Sequence, residues 1–134
     1  MKLLSTFFIC IALAFGSTKA SAQVYTFKAT SFSIMEKSDS GKWGKWSDFE
    51  ESTVVITLDG KKDRLVVGSK EPQVYKIMSY GKKLSTEFED TIPLNCMALD
   101  GGACTILIVT RVNQKNRKQI YINFADVKIV YNIY

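Results

Sequence analysis

The segment from Asn95 to Val109 constrains the fold of this chain more than any other. At its centre Asp100-Gly101-Gly102 supplies residues that tolerate the positive φ of a tight hairpin. Thr105-Ile106-Leu107-Ile108-Val109 then runs without a charged break, which reads as a strand covered on both faces. Candidate covers for its outer face are the aromatic segment Trp43–Phe49 and a second copy of the chain. A loop centred on Asp100 also sets Cys96 opposite Cys104, whereas a register shifted by one would face Cys104 with Met97. A disulfide between Cys96 and Cys104 is expected, the alternative being two buried thiols packed as small apolar groups.

The first 22 of the 134 residues read as an export leader. Lys2 gives a positive start, Leu3 to Phe15 is an apolar run, and Ala20-Ser21-Ala22 fits the small-x-small pattern before a cleavage at Gln23. That run is short for about 30 Å of hydrocarbon and no second one follows, so no membrane span is expected. Cleavage leaves one domain, 23–134, with a secreted or periplasmic location. The 18 basic residues become 16 against 13 acidic ones, and the formal net charge falls from +5 to +3. Spread thinly, that charge lacks the dense basic stripe of a nucleic-acid binder. Of three cysteines two remain, an even count that suits pairing in an oxidising compartment.

From Gln23 onward no segment carries ten residues of helical periodicity. Val24 to Lys37 alternates with a change of phase near Thr30-Ser31, which predicts a bulge or sharp bend. Strands are also expected at 53–59, 64–69, 73–80, 92–98, 103–111, 118–124 and 127–134, with 81–90 the least structured connection. Short turns between sequence neighbours favour a meander, and joining its first and last strands removes the exposed edges. The expected fold is all-β: a small antiparallel up-and-down, calycin-like β-barrel of about eight strands, with a β-sandwich as the alternative. Such a barrel holds packed side chains or one small ligand.

The chain has no histidine, so histidine triads, imidazole metal sites and imidazole pH switches are excluded, and two cysteines alone make no zinc site. Neither a metal nor a cofactor is expected. Trp43 and Trp46, with Phe49, form the one unusual aromatic concentration. They suit a stacking surface for a sugar or another flat ligand, or else a plug for the end of the barrel. Gly41-Lys42-Trp43 and Gly44-Lys45-Trp46 each resemble the Gly-x-Trp triplet near the start of lipocalins, a resemblance three residues long that implies a secreted eight-stranded barrel. The chain holds no Thr-Asp-Tyr counterpart, and no ligand-binding residue is carried over.

Two acidic clusters, Asp48-Glu50-Glu51 and Glu87-Glu89-Asp90, lack the spacing of a calcium loop and read as solvated surface charge. The basic turn Lys115-Arg117-Lys118 reads the same way. The expected function is a non-enzymatic binding or interaction module whose partner is a small molecule, glycan or protein and whose contact surface is centred on Trp43, Trp46 and Phe49. The alternatives are a carboxylate-dependent hydrolase and a structural, envelope-associated protein.

Overall fold

The computed structural model describes residues 23–134, so the expected leader and its cleavage site lie outside the described residues. Nine strands follow in order: β1 (Val24–Glu36), β2 (Glu50–Asp59), β3 (Arg64–Gly68), β4 (Gln73–Tyr80), β5 (Leu84–Ser85), β6 (Glu89–Ala98), β7 (Ala103–Arg111), β8 (Arg117–Asn123) and β9 (Val127–Ile133). Every pairing is antiparallel. β1 to β4 and β6 to β9 close into an eight-stranded barrel, through β1 on β9 and β4 on β6. β5 is the extra strand, a two-residue stub on the start of β6 within the connection expected to be least structured. Closure satisfies the backbone donors and acceptors that an open meander would leave at its edges.

β1 makes that closure possible. Its register slips between Ala29 and Ser31 against both neighbours, where the alternation in the sequence changes phase. Before the slip β1 pairs mainly with β2; after it, with β9. Phe27 and Ala29 turn inward on one side of the bulge, and Phe32 packs toward the core on the other. The extra residue bends the strand and lets it serve two walls of one barrel.

Aliphatic side chains fill the interior. Ile56, Leu65, Leu94, Ile106, Ile120 and Ile122 are fully buried, and the buried Tyr75 and Tyr131 join them in the core. An eight-stranded barrel is just wide enough for this packing. Burial raises the pKa of both phenols above the usual tyrosine range.

In the β6–β7 hairpin Cys96 faces Cys104 and Leu94 faces Ile106. Leu99, Asp100 and Gly101 form its loop, with Gly101 N donating to Ala98 O and Ala98 N to Gly102 O. Gly101 alone of the two glycines takes a positive φ, 91°, which is the three-residue loop with a bulge at its last position.

The disulfide expectation needs correction: Cys96 and Cys104 are opposite and buried, yet both are free thiols. The hydrogen bond from Ala98 to Gly102 marks a hydrogen-bonded pair, and alternation by two puts Cys96 and Cys104 in the same class. Cross-strand Cβ atoms lie about 4.5–5.5 Å apart, closer in non-hydrogen-bonded pairs. A disulfide prefers about 3.5–4.5 Å. Burial pushes the Cys96 thiol up to about 12 and the Cys104 thiol up to about 11, with Asp100 adding to the latter. Both are small apolar groups in the core.

Candidate functional site

The connection between β1 and β2 folds back over the outside of the barrel as a strap. Lys37 N donates to Asp126 O, tying the start of the strap to the β8–β9 turn. A tight turn at Ser38–Gly41 follows, and the backbone at Trp43 then bridges to Lys37. Gly44 N donates to Glu36 O and Ser47 N to Ile34 O, so the strap runs along the far end of β1 like a partial extra strand. Ser47 adds side-chain bonds: its carbonyl accepts from Ser33 Oγ at 2.6 Å, and its own Oγ accepts from Ile34 N at 2.9 Å. Ser33 is outward-facing yet fully buried, because the strap covers it.

This path brings the two tryptophans onto the outer wall. Trp43 lies under two ammonium groups, Lys37 Nζ at 5.3 Å and Lys128 Nζ at 4.6 Å from the ring centroid. Trp46 meets Tyr121 of β8 edge-on, with centroids 6.1 Å apart and planes at 68°. Such edge-to-face contacts suit the quadrupoles of the two rings. The indoles keep 36% and 38% of their surface exposed, so neither closes the end of the barrel. Phe49 is parted from them: it lines a groove of about 610 Å³ beside the β1 bulge, with Lys28, Glu51 and Thr53.

Next to Trp46 the outer wall carries an apolar row. Val130 of β9, Tyr121 of β8, Leu107 of β7 and Pro93 of β6 are consecutive cross-strand partners. Val130 is buried, whereas Tyr121, Leu107 and Pro93 are half-buried. The run expected to need covers on both faces has the core on one side; on the other, the strap reaches Tyr121, the cross-strand partner of Leu107, through Trp46.

Above that row lies a polar network that sequence reasoning missed. Arg111 pairs with Glu89 and donates from Nε to Gln119 Oε1 at 3.1 Å and from Nη2 to Tyr121 Oη at 3.3 Å. Gln119 Nε2 donates to Asn132 Oδ1 at 3.0 Å, and Asn132 Nδ2 to Ser31 Oγ at 2.9 Å. Five strands are laced together by side chains of one outward face, and Gln119 is buried beneath them. The only sequence signal was a glutamine at an outward position of the β8 alternation.

The remaining candidates scatter. Glu89 and Asp90 are engaged by Arg111 and Lys83, while Glu50 and Glu51 begin β2 at the opposite end of the barrel. Glu36 and Glu50 line a cleft of about 400 Å³ with Lys45, Gly44 and Ser47. Arg117 is held by Gln114 and Asn132, and Lys118 donates to Thr110. Among the described residues no group of three or more acidic or cysteine side chains is placed to hold a metal ion. No helix among them is long and apolar enough to cross a membrane. Comparison with known proteins finds no matching family model, no matching curated protein and no matching solved structure.

Proposed function

We propose that this chain is an exported, non-enzymatic binding module that takes a flat ligand on the outer wall of its barrel, at Trp43 and Trp46. One observation carries the reading: backbone bonds hold the strap against β1 so that both indoles stay about one-third exposed, while aliphatic side chains fill the interior. A large aromatic presented by a fixed backbone loses little freedom on contact and offers apolar area with a polar edge. Export rests on the leader pattern of residues 1–22. Phe49, in its own groove, is a secondary contact.

Calorimetric titration with a panel of neutral and acidic oligosaccharides tests this. Binding by at least one member is expected, and a Trp43→Ala/Trp46→Ala variant should lose it. The variant should still fold, with a midpoint within about 8 °C of the parent, the equivalent of about 1 kcal/mol. A variant that unfolds makes the strap a structural cover, and a variant that binds as well as the parent moves the site elsewhere. Silence across the panel removes the reading's support.

A further inference from the structure

The setting of Trp43 narrows the class of ligand. Lys37 and Lys128 come from different parts of the chain, one just past β1 and one on β9, yet both ammonium groups lie over the same indole. Among the described residues the ion pairs within 4 Å are Lys83 with Asp90 and Arg111 with Glu89, so neither of these two lysines has a carboxylate partner. The negative face of an indole holds a cation but does not neutralise it. Two like charges are thus kept beside one partly exposed ring, neither of them in an ion pair.

A neutral sugar stacking on Trp43 offers these ammonium groups only uncharged hydroxyl acceptors. A ring that carries its own negative charge differs. Its carboxylate or sulfate oxygens accept hydrogen bonds from the lysines while its apolar face takes the indole, and charge-assisted bonds of this kind are the stronger sort. We infer that the strap binds an acidic carbohydrate, a uronic or sulfated sugar unit, with Trp43 as the stacking surface and Lys37 and Lys128 as the anion contacts. This rests on the binding surface proposed above and adds the charge of the ligand.

Two other anionic partners fit less well. A nucleic-acid strand needs a basic groove that follows several phosphates, whereas here two lysines meet at one ring and Lys45 lines the cleft that also holds Glu36 and Glu50. An anionic membrane is met by aromatic side chains that project into it. The strap instead lies flat, bonded to Glu36 and Ile34, with about two-thirds of each indole covered.

The experiment titrates the folded chain with an oligogalacturonate, a sulfated oligosaccharide, a neutral oligosaccharide of equal length, an oligo-deoxythymidine and vesicles containing anionic lipid. An acidic sugar should bind more tightly than the neutral one and weaken as salt rises. Lys37→Gln and Lys128→Gln should each weaken that binding by roughly tenfold. Lys61→Gln/Lys62→Gln, in the distant β2–β3 turn, removes more charge and should leave it unchanged. Equal binding of neutral and acidic sugars, or indifference to Lys37 and Lys128, overturns the acidic ligand while sparing the stacking surface. Preference for the oligonucleotide or the vesicles overturns it in favour of that partner, and no binding to any sugar fells both readings together.

Discussion

At Cys96 and Cys104 two side chains in register stay unbonded, and the reason lies in which kind of pair they occupy. Positions 98, 96 and 94 all turn their backbone groups toward β7, so the two thiols stand at the wider cross-strand spacing and pack as apolar groups. Thiol titration of the chain beginning at Gln23, which holds only Cys96 and Cys104, should therefore find two reactive groups in unfolded, unreduced protein and almost none in the native state; none after unfolding would show a bond. Burial also couples them to pH. The unfolded thiols ionise near about 8.5, whereas in the folded chain Cys96 and Cys104 hold their protons to about 12 and about 11. An acid whose folded pKa is raised contributes its full stability below the unfolded value and loses it as pH climbs toward the folded one. The melting midpoint should fall between pH 8.5 and 11, and less steeply in a Cys96→Ala/Cys104→Ala variant.

Elements are joined here by a few positions where backbone geometry leaves little choice. Gly81 follows β4 and donates its N–H to Pro93 O at 2.8 Å. A Cβ there would lie 2.6 Å from Pro93 Cγ and 3.0 Å from Pro93 O. Gly81→Ala should cost about 1–3 kcal/mol, since the β4–β6 closure must shift to admit the methyl. Gly101→Ala meets open space and suffers only the strain of a positive φ, so its cost should be about 1 kcal/mol. Chemical denaturation of both variants checks the order, and a larger loss at Gly101 would contradict it. The strap is an element of another kind, held to β1 by its own backbone and by Ser47, and it covers the outward-facing Ser33.

For the whole molecule, closure makes the walls depend on one another. β1 pairs with β9 across nearly the full length of the chain, and β4 meets β6 past the β5 stub. Opening one seam exposes strand edges on both sides, so unfolding should be a single cooperative transition. Far-UV circular dichroism and tryptophan fluorescence should give coincident denaturation curves; fluorescence changing first would mean that the strap detaches on its own. Much of this architecture was legible in the residues. Alternation with period two set the strands, the phase change at Thr30-Ser31 marked the bulge, and Asp100-Gly101 fixed the register of the β6–β7 hairpin, because each is decided by neighbours a few residues away. The Arg111–Glu89–Gln119–Asn132–Ser31 network was not legible, since its members come from five strands and meet only when the sheet curves. Nor could the sequence choose between Trp43 and Trp46 as plug or as outer surface. Local chemistry by itself determined an all-β chain of short hairpins with one aromatic loop. Tertiary structure alone decided which face of the barrel that loop covers and which lysines it meets, because those contacts depend on closure between segments far apart in the chain.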